Sequence, residues 1–301
     1  MTSPARSPVS PLLPATLLLI IGVLWGLFFV LIKKGITGGV TPMSYLFWFT
    51  LMAGTILFGL CRIRRTRPRF SRAHLRFYAS AAALRFVFAN IVLYTVQGRI
   101  PVGVMAVIMA MVPVFTYAMS LVFRVERFTV LRFAGILTAF AGVAMIVAPK
   151  DALPDASLIP WVLLGLATPL LHGAGYVFLS EKNRPADSDS LSVACGTLWA
   201  ASLLTLPIAL AFGEFQLLAP PFSAGELAMI AHALLAGFNF YAIFELIRIA
   251  GPTYMSQANF LSVLFGVLFG IAIFGESHSW WVWGAMGATV AGVALVSAKR
   301  A

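Results

Sequence analysis

Arg85 is the residue whose position most needs a chemical explanation. It sits in the apolar run SAAALRFVFANIVLY, about ten residues past a basic loop, roughly 15 Å deep at helical rise. An ionised arginine at the centre of a membrane helix costs about 2.5–3.5 kcal/mol on insertion scales. It must therefore face a wet cavity, a ligand or a polar partner. A planar fork of donors suits a carboxylate or a phosphate. Two readings follow from the residue alone: a cationic anchor for an acidic solute, or a structural arginine bonded to backbone carbonyls or reaching back to the surface.

Other polar side chains inside apolar runs share helical faces. Asn90, Tyr94 and Gln97 line one face, about 140° around from Arg85 at 100° per residue. Arg85 and Asn90 then touch one ligand only if the helix is unwound between them. His232 and Asn239 share a face of another run, and His172 and Tyr176 of a third. The last two correspond loosely, half a chain away, to Trp25 and Phe29. Pro113 removes one backbone bond from its helix, with Thr116, Tyr117 and Ser120 on the same side. Asn259 heads a stripe with Gly266 and Gly270, whose glycines read as close helix packing. Each polar residue can meet a solute or hydrogen-bond a neighbouring helix. Trp25, Asn90, Tyr117, His172, Tyr176, His232, Asn239 and Asn259 thus join Arg85 as candidate substrate-binding residues. Glu245, inside an apolar run, is the candidate for ion coupling; its other reading is an interfacial pair with Arg248. Gln257 points nearly opposite to Asn259 and is the weaker candidate.

Motifs for other chemistry are missing. No glycine loop of Walker type precedes a lysine, and neither HExxH nor G-x-S-x-G occurs. The four histidines fall on separate segments without metal-ligand spacing, so no catalytic residue, cofactor or metal is expected. Cys61 and Cys195 suggest neither a metal site nor a disulfide framework.

The elements that must position these residues follow from composition. The chain is 60% hydrophobic and 10% charged, against about a quarter charged in a soluble domain. Lipid is the solvent that accommodates this. Ten apolar runs lie near 12–32, 44–60, 75–97, 101–123, 130–148, 159–181, 190–212, 225–247, 252–274 and 280–297. Each is close to the roughly 20 residues needed to cross hydrocarbon, where only internal hydrogen bonding is available and helices are required. The first run is long enough to span and reads as a retained helix rather than a cleaved leader. The net charge of +11 is not a nucleic-acid signature, because seven arginines crowd into CRIRRTRPRFSRAHLR directly after an apolar run. Anionic lipid headgroups are natural neighbours of that loop. Sixteen basic residues fall on the side of the N-terminus and four on the other, which places both termini in the cytoplasm.

The chain also repeats itself. At an offset of 150 residues, Ala141-Gly142-Val143-Ala144 matches Ala291-Gly292-Val293-Ala294, and Glu126 matches Glu276. Each half, 1–150 and 151–301, then holds five helices. Five is odd, so the second half enters the membrane from the opposite side, with a solute site expected at the interface of the halves near mid-membrane. Glu126 is expected on the cytoplasmic side and Glu276 on the external side.

The run from GRIPVGVMAVIMAMVPVFTYAMSL through VFRVERFTVLRFAGILTAFAGVAMIVAP resembles the second part of an EamA domain of the drug/metabolite transporter superfamily. LWGLFFVLIKKG is similar to the family's opening helix, and FGESHSWWVWGAMGATVAGVAL repeats the pattern more loosely. The resemblance implies an all-α integral membrane fold of ten transmembrane helices, as two inverted five-helix repeats around a central cavity. It also implies a non-enzymatic carrier of small organic solutes, often an exporter. Many members have an arginine early in the second helix; SYLFWFT stands there in this chain. The expected function is a secondary transporter of small metabolites, such as amino acids or other carboxylate-bearing solutes. The alternatives are a membrane-embedded enzyme, which needs convergent catalytic groups, and a non-transporting receptor. The expected partners are the solute and the bilayer, with no nucleic acid, for a monomer or homodimer in a bacterial inner membrane.

Overall fold

The computed structural model describes residues 12–124, 127–147, 153, 155–178, 185, 188–250, 252–255 and 258–297. Glu126, Gln257 and the boundary between the two halves at 150 and 151 lie outside them. Among the described residues every regular element is helical, and nine helices are long and apolar enough to cross a membrane. They are α1 (Leu12–Thr37), α2 (Pro42–Ile63), α3 (Arg72–Gln97), α4 (Val102–Val122), α5 (Val130–Val147), α6 (Ala156–Phe178), α7 (Ser190–Ala211), α8 (Ala224–Ala250) and α10 (Trp280–Ser297). A shorter apolar helix, α9 (Ala258–Phe274), precedes α10. The protein is a multi-pass membrane protein.

Local signals set several starts. Thr41 caps α2, Ser71 caps α3 and Asp189 caps α7, each accepting a backbone N–H three residues on. Ser223 and Glu226 close a reciprocal capping box on α8. Two interruptions matter for the site. α4 breaks at Ala110–Met111, just before Pro113, whose missing N–H cannot continue the ladder. α3 widens into a π-helical segment at Ala82–Phe88, which carries Arg85. The first helix also runs past the expected residue 32 to Thr37, bringing Lys33 and Lys34 onto it.

The small-residue motifs mark where helices touch. α5 crosses α10 at backbone distance: a Cβ added at Gly292 would lie 2.5 Å from the Ala139 nitrogen and 2.6 Å from the Gly135 carbonyl. One added at Gly142 would lie 2.8 Å from the Ala285 carbonyl. α1 packs on α8 and α9, α2 on α7 and α8, and α6 on α3 and α4. Gly26 of α1 meets the backbone at Phe265–Gly266, and Gly173 of α6 meets the backbone at Phe115–Thr116. In lipid there is little hydrophobic drive between helices, so such close van der Waals contact carries association.

Gly292→Leu is expected to lower stability by roughly 1–3 kcal/mol through overpacking at this crossing. Gly287→Leu, on the same helix with no atom near its added Cβ, should leave stability in place. Thermal unfolding of both variants in detergent makes the comparison.

Candidate functional site

Polar side chains gather in three assemblies within the bundle. The first ties one end together. Lys33 Nζ on α1 donates to Glu276 Oε1 at 3.0 Å and to the Ile100 carbonyl at 3.1 Å, and lies 4.9 Å from the centroid of Phe274. Glu276, in the α9–α10 connection, also accepts the first backbone N–H groups of α4, from Val102 at 2.6 Å and Gly103 at 3.1 Å. It therefore caps a helix from another part of the chain, where the helix dipole favours an anion. His278 Nε2 stands 3.4 Å from Oε2, beside the charge. Burial pushes the Glu276 carboxyl upward, but His278, the two amides and Lys33 outweigh it and hold the group at about 2. At the same end, Ser44 Oγ donates to the Glu214 carbonyl at 2.8 Å and Trp48 Nε1 to the Gln216 carbonyl at 3.0 Å. These bonds stitch the α7–α8 connection to α2.

Beneath this end lies a histidine in an aromatic box. His232 of α8 is 4% exposed. Its Nδ1 is 3.1 Å from the Tyr45 hydroxyl. The ring stacks on Phe49 at 4.3 Å and leans on Phe28 at 4.6 Å, while Tyr94 meets Tyr45 edge-on at 4.9 Å. Four helices, α1, α2, α3 and α8, converge here. Asn239 lies two turns farther along the same face of α8, buried, and its Oδ1 has no partner.

Arg85 forms the third assembly, on the π-helical part of α3. Its Nη2 donates to the Tyr176 hydroxyl of α6 at 2.8 Å, and its guanidinium lies over the rings of Tyr176 and Phe86 at 4.5 and 4.9 Å. The absent side chain of Gly175 permits this approach: a Cβ there would fall 2.8 Å from Arg85 Cβ. Among the described residues no carboxylate pairs with Arg85. One hydrogen bond uses one of five guanidinium donors. The others point to a need for water or an anion. His172, one turn before Tyr176, gives its Nδ1–H to the Thr168 carbonyl at 2.9 Å, so in the neutral ring Nε2 is an acceptor. The π turn lags the α-helical phase between Arg85 and Asn90.

The remaining candidates are dispersed. Asn90 is buried. Trp25 packs beside Ile21, Ala242 and Leu246. Tyr117 is engaged elsewhere: its hydroxyl donates to the Arg127 carbonyl and accepts from the Thr129 N–H, and Arg132 lies over its ring. It ties down the start of α5, apart from Arg85. Asn259 shares its turn with Ser262, whose hydroxyl donates to the Asn259 carbonyl. Glu245 is half-buried near the end of α8. The Lys33–Glu276 network and the Tyr45–His232 box were not foreseen. In the sequence Glu276 stands out only as a repeat marker; His232 and Tyr94 stand out from their own helix faces, and for Tyr45 and Phe49 the local signal is their spacing of four.

The model of the EamA-like transporter family matches residues 12–148 and again 159–298. A probable terminal-alkyne amino-acid exporter of Streptantibioticus cattleyicolor is 30% identical over 190 residues, 62% of this chain and 60% of that protein. The chain thus spans less than two thirds of that relative. An Escherichia coli protein, the uncharacterized inner membrane transporter YedA, is 26% identical over 91% of this chain and 87% of its own length. A crystal structure 18% identical superposes with a TM-score of 0.63 over 94% of this chain and 95% of the other, which speaks to the fold alone.

The Glu276 network generates a pH prediction. Its carboxyl sits at about 2 when folded, against 4.5 when free, so its stabilisation is complete above pH 4.5 and drains away as the pH falls towards 2. Thermal scans from pH 7 to 3 should show a fall in unfolding temperature below pH 4.5. Glu276→Gln should be less stable at pH 7 and lack that component of the fall.

Proposed function

We propose that this chain, which belongs to the EamA-like transporter family and is a membrane transporter, works as a secondary carrier. It alternates access to one site between two inverted five-helix halves, residues 1–150 and 151–301. Its solute is a small organic molecule bearing a carboxylate, and Arg85 is its anchor. The observation that carries this reading is a half-buried arginine inside a membrane helix, with no carboxylate partner among the described residues and an aromatic hydroxyl hydrogen-bonded to it.

Helix packing supports the inverted halves. Exchanging α1 with α6, α2 with α7, and so on through α5 with α10, maps the α5–α10 and α2–α7 contacts onto themselves. It maps α1–α9 onto α6–α4, and α1–α8 onto α6–α3. The correspondence reaches single residues: Gly26 on Phe265–Gly266 mirrors Gly173 on Phe115–Thr116, and Gly292 over Gly135 mirrors Gly142 over Ala285. A contact map that survives this exchange is expected of a pseudo-twofold carrier.

The Lys33–Glu276 network and the His232 box favour a state closed at one end. The excess of basic residues at the other end supports a closed end that is external and termini that are cytoplasmic, and the inner membrane transporter among the relatives supports a bacterial inner membrane. Arg85 lies below the closed layers. The relative's name as an amino-acid exporter agrees with a carboxylate solute and with outward transport. Glu245 remains the proposed coupling acid.

Arg85→Ala should cut counterflow of a carboxylate solute in liposomes at least roughly tenfold, the size of one lost charged hydrogen bond, without changing the unfolding temperature much. Arg85→Lys should recover only part, because a point charge lacks the fork. Unchanged kinetics in Arg85→Ala would remove the residue from the site. For topology, single cysteines placed at 126 and 276 in a background lacking Cys61 and Cys195 should label from opposite faces of the membrane. Labelling from one face would contradict the inverted halves.

A further inference from the structure

The end opposite the Lys33–Glu276 network carries a charge problem of its own. No Asp or Glu occurs in the first 125 residues, yet seven arginines lie between Arg62 and Arg76. The second half supplies Glu276 to neutralise Lys33. Among the described residues no carboxylate lies within ion-pair reach of Arg62, Arg67, Arg72 or Arg76. Asp189, the cap of α7, spends its oxygens on the N–H and hydroxyl of Ser192.

The shape around these arginines is not a plain solvated loop. A groove of about 450 Å³ is walled by Phe58 and Phe70 and edged by Arg62, Arg67 and Arg69. A second depression, of about 430 Å³, lies between Arg72, Leu75 and Arg76. Ile63, Phe70 and Leu75 are all exposed beside the guanidinium groups. Water alone gives such apolar side chains no partner. A lipid does so with its acyl chains, while its headgroup meets the arginines. All seven basic residues here are arginine, whose fork binds a phosphate in two places.

We infer that the α2–α3 connection forms a binding site for the phosphodiester headgroup of an anionic glycerophospholipid, held by Arg62 and Arg67 in the groove and by Arg72 and Arg76 beside it, with Phe58, Phe70 and Leu75 against its acyl chains. The site is independent of the transport reading, because it is assayed by binding and not by flux. The tightly held lipid supplies the negative charge that the first half of the chain lacks.

The test uses the full chain in nanodiscs of phosphatidylcholine alone or of equal parts phosphatidylcholine and phosphatidylglycerol. Phosphatidylglycerol should raise the unfolding temperature and remain bound through delipidation, read by native mass spectrometry. Arg62→Gln with Arg67→Gln should weaken that retention roughly tenfold or more, given the attraction of each arginine to an anionic surface. A control of equal charge loss at the other end, Lys34→Gln with Arg99→Gln, should retain the lipid as the wild type does. Equal weakening in the control would mean diffuse attraction and overturn the site. Inorganic phosphate reproducing the stabilisation in pure phosphatidylcholine would overturn the lipid assignment. No preference for phosphatidylglycerol over phosphatidylcholine would overturn both.

Discussion

An ionised arginine in the middle of a membrane helix is the constraint around which this structure is arranged. The cost of placing it there, about 2.5–3.5 kcal/mol, is of the same size as what its neighbours supply. Tyr176 gives one hydrogen bond and, with Phe86, two aromatic faces. Each face is worth about 0.5–2 kcal/mol depending on solvation. The helix itself changes to admit the residue: α3 widens into a π turn, and Gly175 of α6 gives up a side chain so that Arg85 can lie against it. Such adjustments are costly for a residue that only packs.

Lys33 shows the alternative fate of an interior cation. It too lies on a membrane helix, but it has a carboxylate at 3.0 Å, a carbonyl and an aromatic ring. Glu276 in turn satisfies the otherwise orphaned amides that begin α4. This charge is consumed by structure and draws α1, α4 and the α9–α10 connection together. The neutralised pair ties one end together, whereas Arg85 has no carboxylate partner among the described residues.

The membrane helices were legible in the sequence because hydrocarbon demands long apolar runs whatever their partners. The α5–α10 crossing was legible at AGVA because two backbones in contact tolerate only small side chains, and Gly142 and Gly292 mark that crossing directly. The π turn was not legible: AALRFVF contains no proline or glycine to announce it. Nor were the partners of Lys33 and His232, which lie 243 and 187 residues away in the chain. A helix in lipid is apolar on every face, so the periodicity that orients a soluble helix is weak. Tyr117 illustrates the result. Its spacing with Thr116 and Ser120 suggested a polar stripe, yet its hydroxyl serves the α4–α5 connection.

The account turns on whether the solute is held by its negative charge at Arg85. The most direct measurement is competition in counterflow between a transported carboxylate solute and its own methyl ester, which keeps the size and loses the charge. The ester should fail to compete in the wild type, and the gap between acid and ester should close in Arg85→Ala. An ester that competes as well as the acid would show that the pocket recognises something other than the carboxylate.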